Sequence, residues 1–175
     1  MRIVTLISTA GLVLASATVH AQDVTYDFDK AADFSSFKTY TWVRGTPLND
    51  ELNHKRIVNA VDAQLSSKGF NKVEMGGNPD VLVAYHASFN KNLQINGFSS
   101  GWGGYRFGAN RSGTARVDEI LIGTLVVDMV DARSRTIVWR GTATKEVDVK
   151  ASPEKREKNI NKAAEKLFKT YPPKR

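Results

Sequence analysis

No cysteine occurs anywhere in the 175 residues. That absence excludes disulfides, thiol nucleophiles, iron–sulfur clusters and thiolate metal sites. It also excludes lipidation at a cysteine, so the expectation for an exported form is release rather than tethering. Histidine is nearly as scarce, with only His20, His54 and His86. None has a second histidine three to five positions on, so no two-histidine ligand pair lies along one helix face. There is no G-x-S-x-G elbow. Gly101, Gly103 and Gly104 lack the G-x-G-x-x-G spacing, and no Lys-Ser/Thr follows them, so the run is not a phosphate loop. Asp128 and Asp131, three apart at a strand end, point to opposite faces and cannot share a proton. The sequence therefore names no catalytic residue, no metal ligands and no cofactor.

Long apolar runs are also missing, with one exception at the start. Arg2 supplies a positive charge, Ile3 to Val19 carry none, and Val19-His20-Ala21 offers a small residue at a cleavage position. This reads as a signal peptide over residues 1–21, with the mature chain beginning near Gln22. The apolar stretch is diluted by Ser8, Thr9, Gly11, Ser16 and Thr18, which makes it too short and too polar for a comfortable membrane span. Residues 22–175 then have the size of a single domain, and a periplasmic location is the expectation.

Charge is basic, with 25 Lys plus Arg against 18 Asp plus Glu. The surplus concentrates from Lys145 to Arg175, where ten basic residues face five acidic ones. A helix with a lysine-rich outer face accounts for this. With no basic recognition helix or RNP-like aromatic strand in an exported chain, a nucleic-acid partner is not expected.

Periodicity divides the remainder into strands and helices. Val24 to Phe28 and Tyr40 to Val43 alternate apolar and polar residues as strands do. Leu52, Ile57, Ala60, Val61 and Leu65 form one stripe of a helix, closed by Gly69 and preceded by Pro47. Phe70 to Val73 reads as a short strand before the turn Gly76 to Asp80. Val81, Val83, Tyr85, Ala87 and Phe89 share a face of the next strand. Leu82 and Ala84 make its other face apolar too, as in a central strand. His86 should face outward there, and His54 should lie on the wet side of its helix.

Ile120 to Asp131 and Arg135 to Val147 form a hairpin, with Ile137, Trp139 and Ala143 on one face. Ser152-Pro153 opens a last helix, whose stripe runs from Ile160 through Ala163, Ala164, Leu167 and Phe168 towards Tyr171. The expected class is α+β. It is a two-layer sandwich, with a largely antiparallel sheet of about five or six strands and two helices packed on one face.

One segment fits neither period. A Gly/aromatic-rich loop at about 91–117 contains NGFSSGWGGYRFGANRSG, with Phe98, Trp102, Tyr105, Arg106 and Phe107 among its glycines. Glycines make regular structure costly there, and aromatic residues prefer burial. The loop is a connector whose rings tuck back, a binding element offering Trp102 and Tyr105 as stacking or interfacial platforms, or a pair of edge strands that meet another chain.

Three motifs in order carry a resemblance. Asp33-Phe34-Ser35-Ser36-Phe37-Lys38-Thr39-Tyr40-Thr41-Trp42 comes first, then Asn78-Pro79-Asp80-Val81-Leu82-Val83-Ala84-Tyr85-His86. Gly123-Thr124-Leu125-Val126-Val127-Asp128 follows, with Asp131-Ala132-Arg133 and Val138-Trp139-Arg140-Gly141. Together they resemble a lipoprotein family of bacterial envelope proteins carrying a domain of unknown function. The resemblance implies an envelope compartment and no catalytic residues. In the hairpin, Asp128 and Arg140 are placed to form a cross-strand ion pair.

The function expected is a non-enzymatic periplasmic binding or envelope-maintenance protein. Its partner would be an envelope protein, a glycan or a membrane surface, met through Phe98, Trp102, Tyr105, Arg106 and Phe107. A hydrolase-like enzyme with a site assembled near His86 and a self-associating structural protein are the alternatives. Export gives the first test: intact mass of the protein recovered from the periplasm should correspond to a chain starting at Gln22. A mass that retains the first 21 residues would contradict the signal-peptide reading.

Overall fold

A computed structural model of the protein describes residues 22–74, 76–96 and 116–174. The 1–21 segment lies outside them. In chain order the elements are strand β1 (Asp23–Phe28), strand β2 (Thr39–Trp42), helix α1 (Glu51–Ser67), strand β3 (Asn71–Lys72), strand β4 (Val81–Asn96), strand β5 (Arg116–Asp131), strand β6 (Ile137–Glu146) and helix α2 (Pro153–Phe168). The strands form one six-stranded sheet in the order β1-β6-β5-β4-β2-β3. Pairing is antiparallel from β1 through β6 and β5 to β4, and parallel where β2 meets β4 and β3. The expected α+β sandwich is therefore found, with six strands. β4 and β5 continue into the segment read as a loop, to Asn96 and from Arg116, and their ends pair as Asn96↔Arg116.

Each helix begins and ends where local chemistry dictates. Asp50 caps α1, its carboxylate accepting from Asn53 N at 3.0 Å. At the other end Gly69 takes φ +86, a region favouring glycine. Gly69 N then donates to Ser66 O and Phe70 N to Leu65 O, closing a Schellman turn that carries Phe70 into the core. Ser152 caps α2, with Pro153 in its first turn.

The core lies between the helices and one face of the sheet. Val81, Val83, Tyr85, Val127, Met129, Trp139 and Ala143 meet Ile57, Ala60, Val61 and Leu65 of α1 and Ala163, Ala164, Leu167 and Phe168 of α2. Trp139 is its largest fully buried side chain, and burying a ring of that size contributes roughly 4–6 kcal/mol. It stacks on Phe168 at 5.0 Å between centroids and meets Tyr171 edge-on at 5.8 Å. Phe34 and Phe70 pack on the same Tyr171 ring. The C-terminal end of α2 is thus fixed to the sheet by an aromatic cluster.

Three expectations need correction. Leu52 is 65% exposed rather than part of the buried stripe, because it sits in the first turn of α1, beyond the sheet-facing residues. Ile137 is 47% exposed, while Val138 joins the core beside Trp139. A register shift between Met129 and Val130 leaves Met129 opposite Trp139 but Val130 opposite Ile137, so the extra residue of the bulge is Val138. The third strand is only Asn71–Lys72, with Phe70 in the core before it.

Asp80 joins the start of β2 to the start of β4. Its carboxylate accepts from Lys38 N at 3.0 Å and from Thr39 N and Thr39 Oγ1, each at 2.9 Å. The backbone bond from Lys38 does most to hold this carboxyl below its usual range, against the opposing effect of burial.

Gly141 makes room for the Trp139 ring. A Cβ there would stand 2.4 Å from Trp139 Cη2 and 2.9 Å from Leu167 Cδ2. Gly141→Ala should therefore lower stability by about 1–3 kcal/mol, as overpacking of a filled core does. Denaturant unfolding measures this, and an unchanged midpoint would show that the ring can settle elsewhere.

Candidate functional site

The aromatic side chains that fill the core at one end of the helices give way to small ones at the other. Ala87, Leu125 and Ala143 stand side by side across β4, β5 and β6. Above them lie Ile57 from α1 and Ile160 and Ala163 from α2. What remains between is an open-sided apolar groove of about 310 Å³, at the small end of ligand-pocket sizes. The next cross-strand row is Phe89, Gly123 and Lys145. A Cβ on Gly123 would meet Val147 Cγ2 at 2.7 Å and the Phe89 ring at 3.3 Å, so this glycine admits both side chains to the groove wall. Phe89 and Val149 stay exposed at its mouth, at 46% and 61%.

Polar groups hold the helix layer over the sheet beside the groove. Asp62 of α1 accepts from Tyr40 Oη and Trp42 Nε1 of β2, both at 2.7 Å, and from Lys72 Nζ at 2.9 Å. Burial, and secondarily the Asp62 carboxylate, raises the Tyr40 phenol above its ordinary value. His54 is not on the wet side of α1. Its Nδ1 hydrogen-bonds Tyr85 Oη, and the two rings lie 5.6 Å apart. Position 54 lies one turn before Ile57 and Val58, which turns His54 towards the sheet.

The opposite face of the sheet carries the second cluster. Asp128, only 5% exposed at its side chain, accepts from Arg140 Nε at 2.6 Å and from Arg140 Nη2 at 2.7 Å, the expected cross-strand pair. The bond and charge of Asp128 hold the Arg140 guanidinium more firmly protonated. His86 faces outward as expected. Its Nε2 is 3.4 Å from Asp128 Oδ2, and its Nδ1 is 3.0 Å from Thr46 Oγ1. Hydroxyl, imidazole and carboxylate thus stand in a row on an open surface.

Phe98, Trp102, Tyr105, Arg106 and Phe107, named from the sequence as contact residues, lie outside the described residues. The groove was not foreseen, and the only sequence signal for it is the small size of Ala87, Gly123, Ala143 and Ala163 on core-facing positions. Among the described residues, no group of three or more His, Asp or Glu side chains is placed to hold a metal ion. No helix among them is long and apolar enough to cross a membrane.

An open six-stranded sheet, with two helices on one face and a groove at one end of them, defines a two-layer α+β domain. The chain belongs to the family described as a domain of unknown function, DUF4136, whose sequence model matches residues 24–173. Its fold is similar to that of a DUF4136 family protein from Bacteroides thetaiotaomicron, 17% identical, with 86% of this chain and 96% of that one covered and a TM-score of 0.53. It is also similar to a PDZ domain protein from Parabacteroides distasonis at 15% identity and a TM-score of 0.60. That match covers 88% of this chain but 37% of the other, so the chain spans little more than a third of that protein. No curated protein sequence matches the chain.

Arg140 supplies both hydrogen bonds from its guanidinium to the buried Asp128 carboxylate, so Arg140→Met should cost on the order of 2 kcal/mol. Adding Asp128→Asn should return part of that loss, because the stranded charge is gone. Strictly additive losses in the double-mutant cycle would show that the pair is not coupled.

Proposed function

We propose that this chain is an exported envelope protein, located in the periplasm, that binds a ligand or partner and does not transform it. The observation that carries this reading is the groove over Ala87, Leu125 and Ala143. Its base is apolar, with Ile57, Ile160 and Ala163 above it, and in its polar rim Asp50 and Arg156 make structural bonds to neighbouring residues of their own chain segments. The apolar N-terminal run and the membership of DUF4136 support the compartment.

Phe98, Trp102, Tyr105, Arg106 and Phe107 act as a second contact region in this reading. Aromatic side chains offer apolar area, and Tyr and Trp add a hydrogen-bonding tip. Their segment is attached to the paired ends of β4 and β5, which lead back to Phe89 and Gly123 at the groove. An envelope protein, a glycan or a membrane surface suits such a region.

One observation favours a second reading. The row of Thr46 Oγ1, His86 and Asp128 has the order of nucleophile, base and orienting carboxylate, which suits a hydrolase-like site. Against it, Asp128 already gives both oxygens to Arg140.

Pull-down from detergent-solubilised envelope separates the two. The native protein should recover a partner or glycan that Trp102→Ala/Tyr105→Ala loses and His86→Ala retains. Equal recovery by all three would contradict the loop's role. Ester hydrolysis by the native protein that His86→Ala abolishes would favour the second reading.

A further inference from the structure

Helix α2 carries its lysines in single file. Lys155, Lys158, Lys162, Lys166 and Lys169 follow one another at steps of three and four residues, which keeps them on one line of the helix. That line lies opposite the buried stripe of Ala163, Ala164, Leu167 and Phe168, so it runs along the outside of the helix layer. Lys155, Lys158, Lys162 and Lys169 are exposed, and Lys166 is half-buried. From first to last the row spans about 21 Å.

The fold makes little use of this charge. Lys155 pairs with Asp148 at 2.9 Å. Among the described residues, the other four lysines form no ion pair. Glu154, Glu157 and Glu165 fall to one side of the line, and none of them is paired with it. Like charges three and four residues apart repel and lower helix stability. Only lysines in the last turn regain some of that from the helix dipole, and Lys158 and Lys162 lie before it. Residues 153–174 hold seven basic and three acidic side chains, so more than half of the chain's net charge of +7 gathers on this helix and its tail.

We infer that the lysine row of α2 docks the protein on an anionic membrane surface, where it meets the phosphates of lipid headgroups. A straight, outward row presents several ammonium groups to a plane of negative charge at once. The apolar face of α2 is taken up by the core, so the helix lies on the headgroups and does not insert. Its attraction is therefore electrostatic, adding up lysine by lysine and weakening as salt rises. This inference rests on the envelope location proposed above, and on neither the groove nor the aromatic segment.

The test is co-sedimentation of the protein recovered from the periplasm with phosphatidylcholine vesicles, with and without one third phosphatidylglycerol. The protein should partition onto the anionic vesicles, release as salt is raised, and stay in solution with the neutral ones. Each lysine removed should weaken partitioning about fivefold, so Lys158→Gln/Lys162→Gln should lose roughly twentyfold. Lys158→Arg/Lys162→Arg should bind as the native protein does. The unfolding midpoint of Lys158→Gln/Lys162→Gln should not fall, because a repulsive pair is removed. Equal binding to both kinds of vesicle would overturn the inference. So would an equal loss from Lys30→Gln/Lys68→Gln, two exposed lysines outside α2, since net charge alone would then be at work. Binding to soluble polyphosphate without binding to vesicles would also overturn it. A chain that still recovers an envelope partner but ignores anionic vesicles would refute this inference alone.

Discussion

Trp139 must lie flat against the sheet for the helix layer to close. It can do so because Gly141, two residues on in the same strand, has no side chain to hold the ring off. The ring then stacks on Phe168 and meets Tyr171, which in turn carries Phe34 and Phe70. Five aromatic side chains from four parts of the chain are fixed by this one close approach. The position of α2 over the sheet follows from it, and so does the direction in which the N-terminal half of α2 extends.

That direction explains the groove. Side chains are large where the C-terminal end of α2 is anchored and small where both helices begin. Ala87, Ala143 and Ala163 cannot fill the space that Trp139 and Phe168 fill at the other end, so apolar surface remains reachable. The other face of the sheet is organised by different forces. There a buried carboxylate, Asp128, is satisfied by a two-pronged guanidinium, and His86 borders the pair. One face thus presents apolar volume and the other fixed charge, and the Asp62 contacts with Tyr40 and Trp42 keep α1 in place between groove and sheet edge.

Much of the fold was legible in the sequence because it follows from local periodicity. The alternation in Val81 to Phe89, the stripe from Ile160 to Phe168 and the cap at Ser152 each lie within a few residues, and each holds in the structure. The Asp128–Arg140 pair was legible too, since hairpin register follows from the turn between the strands. The failures have non-local causes. Val138 displaces Ile137 because a bulge changes the count by one residue, and His54 turns inward because a Tyr85 hydroxyl from another element awaits it. The groove was illegible for the same reason. Its lining comes from both helices and three strands, and each alanine looks like ordinary core filling until all are brought together. The aromatic segment around Trp102 was visible only as composition, and its contact role remains a proposal.

Methyl NMR on the protein with added decanol, a neutral apolar probe, tests the central claim most directly. Perturbations should gather on Ile57, Ala87, Leu125, Ala143 and Ala163, which line the groove, while Leu82 and Val126 of the opposite face stay unmoved. Shifts centred on Leu82 and Val126, or no shifts at all, would contradict the account of the groove as the protein's ligand site.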